Sequence, residues 1–243
     1  MSIGEQTLKN QVVIITGASR GIGAETAIAF GKVGSKVILG ARTIPELEAI
    51  AQRIRDNGGE ALTVRADVTQ PEQAERIVQS ALARYGQIDI LVNNAGLGKF
   101  GRVSEFDLGD WDAVIASNLT SLFFCSKYVL GPMLKRKSGQ IINVLSVAAK
   151  NVFSGAGAYC AAKAGALALT RVLSDEVREE NIRVTAVLPG ATHTSFWDKI
   201  DQHPDFDQML KPAHVANAIL SVAKQPLGMV VEEINVAPPL GIL

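Results

Sequence analysis

The chain has 243 residues, of which 47% are hydrophobic and 20% are charged. Its 24 basic and 24 acidic residues balance, and the sequence pI is about 6.8. This balance excludes a strong general attraction to nucleic acid or to an anionic membrane surface, so binding must come from a local site. The length favours one α/β domain over residues 1–243 with a substantial core.

Targeting and metal-binding features narrow the class further. Residues 1–11 are polar and lack the apolar core of a signal peptide, and no later run is expected to span a membrane, which favours a cytoplasmic protein. Cys125 and Cys160 fall within predicted helices, where a buried free thiol is the expected state. The histidines lack metal-ligand spacing, so the sequence predicts no metal site. They are His193, His203 and His214.

Strand and helix patterns alternate along the chain. Strands are predicted at Val12–Ile15, Lys36–Gly40, Ala61–Arg65, Ile88–Val92, Gln140–Leu145, Arg183–Leu188 and Met229–Val236. Helices are predicted at Ala24–Val33, Thr43–Asn57, residues 71–85, Asp110–Lys137, Ala156–Glu180 and Pro212–Lys224. Thr43 is a predicted cap, residues 69–72 form a predicted capping box, and Gly58 is a predicted helix stop. Strands that are apolar on both faces predict a doubly wound α/β fold, with seven parallel strands in the order 3-2-1-4-5-6-7 and helices on both faces.

The alternation breaks between Ala191 and residue 211, which fit neither period, and we expect a mobile substrate flap at about 191–211. His193 is a candidate substrate contact there, although a lone loop histidine is more often solvated. Several apolar residues either line a pocket near this flap or pack on the domain. They are Phe153, Phe196, Trp197, Phe206 and Met209.

Three glycines, Gly17, Gly21 and Gly23, separate the first strand from the first helix. A helix N-terminus presents unpaired N–H groups and the positive end of its dipole, so a phosphate can bind where side chains do not obstruct it. The spacing Gly-x-x-x-Gly-x-Gly differs from the Gly-x-Gly-x-x-Gly of long-chain dinucleotide enzymes. A plain glycine-rich turn is the alternative, and the strand before and helix after favour nucleotide binding.

Ligands of an open parallel sheet bind beyond the carboxyl ends of its strands. The residues at these ends are small, polar or able to turn the chain, and they predict a ligand site at this edge. They are Arg42, Asp67, Val68, Asn94, Ala95, Gly96, Ser146, Pro189, Gly190 and Thr192.

Tyr159 and Lys163 are four residues apart in a predicted helix, so both side chains project from one face. An ammonium near a phenol lowers the phenol pKa from about 10, which gives a general acid and base usable near neutral pH. The alternative is an amphipathic helix with a snorkelling lysine. Ser146 ends the preceding strand and can face the same cleft, although such a serine is often only a turn or cap residue.

Five motifs occur in order: Thr16–Gly23 as Thr-Gly-x-x-x-Gly-Ile-Gly, Asn93–Gly96 as Asn-Asn-Ala-Gly, Ser146, Tyr159-x-x-x-Lys163 and Pro189-Gly190. With them, residues 10–195 resemble the short-chain dehydrogenase/reductase family. The resemblance implies a Rossmann-type fold in which Tyr159 exchanges a proton with the substrate oxygen and Ser146 hydrogen-bonds that oxygen. It also implies that Lys163 lowers the tyrosine pKa and holds the nicotinamide ribose, and that Asn118 helps to hold a water in a proton relay.

The same resemblance implies a homodimer or homotetramer through the long helices, and it implies a set of cofactor-binding residues. This set is Gly17, Ser19, Arg20, Gly21, Ile22, Gly23, Arg42, Asp67, Val68, Asn94, Ala95, Gly96, Tyr159, Lys163, Pro189, Gly190, Thr192 and Thr194. No carboxylate ends the second strand, where NAD-specific folds usually place one. Arg42 and Arg20 can instead flank a ribose 2′-phosphate, which predicts NADP(H), unless both are only solvated surface charges.

The expected function is an NADP(H)-dependent oxidoreductase that interconverts a small-molecule carbonyl compound and a secondary alcohol. One alternative is a 3-oxoacyl-acyl-carrier-protein reductase. The last strand, however, lacks the Asp-Gly-Gly ending usual in those enzymes, and Glu179 and Glu180 stand where they carry a basic docking residue. The C-terminal stretch looks more like enzymes acting on hydroxy acids, pterins and other free carbonyl compounds. The other alternative, a non-catalytic NADP(H)-sensing regulator, is disfavoured because Ser146, Tyr159 and Lys163 are all present.

Overall fold

A computed structural model describes residues 6–198 and 205–241. Its sheet has seven strands, all paired in parallel, in the order β3-β2-β1-β4-β5-β6-β7. The strands are β1 (Val12–Thr16), β2 (Lys36–Ala41), β3 (Glu60–Arg65), β4 (Ile90–Asn93), β5 (Gly139–Val144), β6 (Ile182–Pro189) and β7 (Glu233–Val236). The predicted fold class and strand order are therefore confirmed.

Helices cover both faces of the sheet. They are α1 (Gly21–Lys32), α2 (Ile44–Asp56), α3 (Pro71–Tyr85), α4 (Leu108–Ile115), α5 (Ser121–Arg136), α6 (Gly157–Val177) and α7 (Pro212–Ala223). Alternate residues of β1 show the two layers, since Val13 and Ile15 pack with α1, α2 and α7. Val12 and Ile14 face the opposite way and pack with α3, α5 and α6. This is why the strand is apolar at its first four positions, Val12–Ile15.

The predicted helix stop at Gly58 is confirmed, whereas the predicted threonine caps at Thr43 and Thr69 are wrong. Gly58 follows α2 with φ +76°, a left-handed backbone that suits glycine. Thr43 precedes α2, but its side chain makes no capping hydrogen bond. The predicted capping box before α3 does not form, because the Thr69 hydroxyl donates to Asp67 Oδ1 at 2.7 Å instead.

The predicted helix Asp110–Lys137 is interrupted by a π-helical turn at Ala116–Thr120, between α4 and α5. Within Leu108–Arg136, an 18-residue segment has a mean hydropathy of 1.3, so this stretch is long and apolar enough to cross a membrane by length and composition, contrary to the expectation from sequence. Buried core helices pass the same test, and Val129 and Met133 of α5 are fully buried against the sheet.

The C-terminal strand is shorter than predicted. Only Glu233–Val236 pairs with β6, beginning where Ala186 faces Glu233, whereas Met229 remains 47% exposed. The two cysteines are free, with Cys125 buried and Cys160 partly buried.

Candidate active site

The turn between β1 and α1 packs closely against the end of β4. Gly17 and Gly21 have φ of +65° and +57°, a region that other residues rarely adopt. A Cβ at Gly23 would overlap the Gly17 carbonyl oxygen and the Asn94 side-chain amide. The glycines therefore allow three segments of backbone to meet at the N-terminus of α1, where a phosphate binds most favourably.

Thr16 joins this turn to the Asn-Asn-Ala-Gly segment. Its hydroxyl oxygen accepts from the N–H groups of Asn94 at 3.0 Å and Ala95 at 3.1 Å. In return, Asn94 Nδ2 donates to the carbonyl oxygens of Thr16 at 3.0 Å and Gly17 at 3.2 Å. Sequence reasoning gave Thr16 no role of its own, although a threonine at the buried end of a central strand is a usable signal.

The two candidate arginines flank the ends of β1 and β2. The Ala18 N–H donates to the Gly40 carbonyl at 3.2 Å, which ties the glycine turn to β2. Arg20 and Arg42 each lie two residues beyond this bond, and both are exposed. Neither guanidinium forms an ion pair with any residue that the structure describes. Two unpaired cations are therefore available to an anion at this point.

The next strand end carries Asp67 and Val68. The Asp67 carboxylate accepts from the backbone and the hydroxyl of Thr69, which fixes its orientation after β3. Val68 is buried. Both residues stand at the edge predicted to bind the cofactor, beyond the ends of β2 and β3.

Ser146 and Tyr159 face each other across the cleft beyond β5. Ser146 begins a 3₁₀ turn, where its hydroxyl accepts from the Ala148 N–H at 3.1 Å. The same side chain lies near the Tyr159 hydroxyl of α6, and this polar neighbour lowers the phenol pKa. Ser146 is therefore both the cap residue of the alternative interpretation and a partner of the tyrosine.

Burial, rather than the neighbouring lysine, sets the acidity of Tyr159. Removal from water raises the pKa of this phenol to about 12, and the polar Ser146 side chain only partly offsets the rise. The Lys163 ammonium lies 5.7 Å from the centre of the Tyr159 ring, and burial lowers the lysine pKa to about 8. The expected lowering of the tyrosine pKa by Lys163 is therefore wrong for the protein alone, because burial disfavours both charges.

Lys163 lies beneath the Asn-Asn-Ala-Gly turn. It is only 4% exposed, and its ammonium donates to the Val144 carbonyl at 3.2 Å. A Cβ on Gly96 would lie 3.7 Å from Lys163 Nζ and 2.6 Å from Asn118 Oδ1. The structure thus brings Lys163 and Asn118 together under Gly96, as the resemblance implied.

Asn118 sits within the π-helical turn and is 2% exposed. Its amide nitrogen donates to the carbonyls of Leu97 at 2.7 Å and Val114 at 2.9 Å. Its amide oxygen has no hydrogen-bond partner among the described residues. The side chain is therefore fixed through its nitrogen and leaves one buried acceptor free beside Lys163.

A cavity of about 810 Å³ opens at this edge of the sheet. Seven predicted site residues line it: Ile22, Ser146, Tyr159, Pro189, Gly190, Thr192 and Thr194. Of the apolar candidates, Phe153, Phe196 and Trp197 also line it.

The remaining apolar candidates lie elsewhere. Met209 is buried, and Phe206 stacks on His193 with ring centres 4.4 Å apart. His193 is exposed and is not part of the cavity lining. Its predicted alternative role as a solvated loop residue therefore fits the structure better. His203 lies outside the described residues.

The geometry matches a known family. The family model described as short chain dehydrogenase matches residues 11–205. The chain belongs to the short-chain dehydrogenase family. It is 38% identical to a 3-oxoacyl-[acyl-carrier-protein] reductase of Synechocystis sp. over 225 residues, covering 90% of this chain and 91% of that protein. It is 34% identical to a sepiapterin reductase of Chlorobaculum tepidum over 237 residues, covering 95% and 97%.

A solved structure, a metagenomic short-chain oxidoreductase in complex with NADP, matches with a TM-score of 0.85 and 33% identity. The match covers 96% of this chain and 99% of that one. Together these relatives support an oxidoreductase that uses a nicotinamide cofactor.

The residues of this short-chain dehydrogenase fit such a cofactor. The glycine cradle leaves the N-terminus of α1 open. Among the described residues, the two arginines have no ion-pair partner and the Asn118 amide oxygen near Gly96 has no hydrogen-bond partner. In the described part of the chain, no group of three His, Cys, Asp or Glu side chains is placed to hold a metal ion. Gly98 and Phe100 of the cavity wall carry no sequence signal, because only the folded chain brings them to Tyr159.

Proposed function

We propose that this short-chain dehydrogenase is an NADP(H)-dependent oxidoreductase that interconverts a small-molecule carbonyl compound and a secondary alcohol. The observation that carries the proposal is the placement of Ser146 and Tyr159 together on the wall of the cavity, where the Ser146 side chain lowers the phenol pKa. Ile22 of α1 and Thr194 line the same cavity, so the acid–base pair opens directly onto the predicted cofactor site. The cytoplasm is the proposed location.

The bound cofactor would supply the hydride, and the protein supplies orientation and the proton. With a pKa of about 12, Tyr159 is protonated at neutral pH and can donate its proton to the oxygen of a reduced carbonyl. The Ser146 hydroxyl hydrogen-bonds the same oxygen. The Lys163 ammonium then stabilises the phenolate that remains and returns a proton to it. A water that donates a hydrogen bond to the free oxygen of Asn118 would carry a replacement proton from solvent to the neutral lysine.

Arg20 and Arg42 support NADP(H) as the cofactor. A guanidinium binds phosphate through two parallel hydrogen bonds, and both side chains are exposed and unpaired within the described ranges. No carboxylate follows β2, where one would repel a 2′-phosphate. The match to a relative solved with NADP agrees with this assignment.

The test is loss of NADPH absorbance with a panel of ketones and diketones, using the parent protein and Tyr159→Phe. We expect turnover by the parent and a loss of about 10² to 10⁴ in rate for the variant, because the proton donor is removed with little change of volume. NADPH binding by the variant, followed by cofactor fluorescence, should be largely unchanged. Tight NADPH binding without turnover by the parent would instead favour a cofactor-sensing regulator.

A second candidate is reduction of a 3-oxoacyl group on an acyl-carrier protein, which the 38% identical Synechocystis relative favours. Glu179 and Glu180 after α6 oppose it, because carboxylates repel an acidic carrier. Comparison of kcat/KM for a 3-oxoacyl-carrier protein and for the free 3-oxo ester separates the two. A large preference for the carrier-bound substrate would select the second candidate.

A further inference from the structure

Two phenylalanine rings from separate parts of the chain pack against the ring of Tyr159. Phe196 follows β6, Phe100 follows β4, and Tyr159 is on α6. The ring centre of Phe196 lies 5.6 Å from that of Tyr159 and 5.9 Å from that of Phe100, and the Phe100 and Tyr159 centres are also 5.9 Å apart. These spacings are within the range of favourable aromatic pairs, so the three rings form one wall.

Gly98 makes this arrangement possible. A Cβ at this position would overlap Phe196 Cζ and would lie 2.8 Å from Phe100 Cε2. Any larger residue would therefore push the Phe196 ring away from its position against Tyr159. The glycine and the phenylalanine act as a matched pair.

The backbone holds Phe196 in place from the other side. Its N–H donates to Thr194 Oγ1 at 3.3 Å, and the indole N–H of Trp197 donates to the Thr192 carbonyl at 2.9 Å. The Trp197 ring packs edge-on against Phe196 with centres 5.3 Å apart. Thr192 and Thr194 line the cavity themselves, so the position of Phe196 is tied to the proposed cofactor site.

Next to the aromatic wall, part of the cavity lining consists of small residues. Gly101, Ala148, Gly155 and Ala156 line it beside the aromatic wall. Phe100 and Phe153 also line it, and each keeps 38% of its surface exposed. Exposed ring surface with small residues beside it leaves room for a flat apolar ring to pack against these phenylalanines.

We propose that Phe196 determines substrate specificity and that the preferred substrates are ketones with a planar aromatic ring next to the carbonyl. The inference rests on the proposed carbonyl reduction. The carbonyl oxygen meets Ser146 and Tyr159, and the aromatic substituent packs against Phe196 and Phe100. Phe196 also shields Tyr159 from water, so its loss changes the environment of the proton donor.

The test compares acetophenone with cyclohexyl methyl ketone, which has the same carbon skeleton without a planar ring. We expect the parent to prefer acetophenone in kcat/KM and Phe196→Leu to lose about 2- to 10-fold of that preference, the range for one aromatic pair. Gly98→Ala should reduce the preference in the same direction by displacing the ring. Phe206→Leu is the matched control, since Phe206 lies in the same segment but not on the cavity, and it should keep the parent ratio.

A second measurement does not depend on activity. Phe196→Ala should lower the pH at which the Tyr159 phenol ionises, from about 12 toward its ordinary pKa of 10, because water reaches the ring. Tyrosinate absorbance, corrected with the Tyr159→Phe protein, reports this change. An unchanged substrate ratio in Phe196→Leu together with an unchanged titration in Phe196→Ala would overturn the role of Phe196. Turnover of both ketones at equal rates by the parent would overturn the substrate class and leave the proposed function standing, whereas no turnover of any ketone would overturn the function itself.

Discussion

Lys163→Met should make the protein more stable while it inactivates the site. Burial lowers the pKa of Lys163 from 10.5 to about 8, so the folded state holds the charged lysine less favourably than the unfolded state does. Methionine has a similar length and no charge to bury. The variant therefore removes an unfavourable buried charge without leaving a large cavity.

The expected gain follows from the two pKa values. A fall from 10.5 to about 8 corresponds to about 3 kcal/mol of lost unfolding free energy while the lysine is charged. The hydrogen bond from Lys163 to the Val144 carbonyl, at 3.2 Å, offsets about 1 kcal/mol. At pH 7 we therefore expect Lys163→Met to be about 2 kcal/mol more stable than the parent.

The pH dependence of the unfolding free energy tests whether the buried lysine destabilises the fold. A lysine whose pKa is lower in the folded state destabilises the fold fully below about pH 8, and the effect disappears above pH 10.5, where both states are neutral. The stability difference between variant and parent should therefore narrow as the pH rises from 8 to 10.5. Groups common to both proteins cancel in this difference.

Urea unfolding at pH 7 and pH 10 measures this difference, with equal m-values required for both proteins. Lys135→Met is the control, since Lys135 is an exposed lysine of α5 and its replacement should change stability by less than about 0.5 kcal/mol. A Lys163→Met protein that is less stable than the parent at pH 7, or a stability gap that stays constant to pH 10, would refute the reasoning.

Two further predictions concern the cofactor and the assembly. Arg42→Asp should reverse a preference for NADPH over NADH, mainly through KM, because the 2′-phosphate is far from the hydride and is bound alike in the ground and transition states. Equal specificity constants of the parent for the two cofactors would contradict this interpretation of the β2 end. The chain should form a homodimer or homotetramer, because exposed apolar residues such as Phe123 of α5 and Val172 of α6 favour burial against a second copy. Sedimentation at micromolar concentration should give a mass of two or four chains, and a single-chain mass would contradict it.

The positions of the strands were predictable because they depend on patterns that are local in sequence, and the strand order followed from the doubly wound fold class. Four of the five positions of β1 are apolar and all five are buried, as expected of a strand covered on both faces. The glycine turn was predictable for a similar reason, since Gly17 and Gly21 mark backbone conformations that are strained for other residues. In both cases the residue type alone indicates whether that position is buried or which backbone conformation it adopts.

The predictions that failed or were missed concern residues whose role depends on a competing neighbour or on a residue distant in sequence. Thr69 had the sequence of a capping residue, but Asp67 two positions earlier accepts its hydroxyl and removes it from the helix end. Gly98 had no sequence signal, because its role depends on a ring 98 positions later in the chain. Asn118 was selected only through the family resemblance, since an asparagine within an apolar helical pattern does not reveal the π-helical turn around it.

That π-helical turn and Lys163 support a common physical explanation of the site. Asn118 has a buried amide oxygen without a partner among the described residues, which costs about 1–3 kcal/mol. Lys163 is a buried cation, and the two side chains approach each other under Gly96. A fold selected for stability alone would satisfy or replace both groups. Their juxtaposition is explained if a ligand supplies the missing partners. The predicted stability gain of Lys163→Met over the parent should then shrink when both proteins are measured with saturating NADPH. The cofactor should stabilise the parent, which keeps the lysine, more than it stabilises the variant.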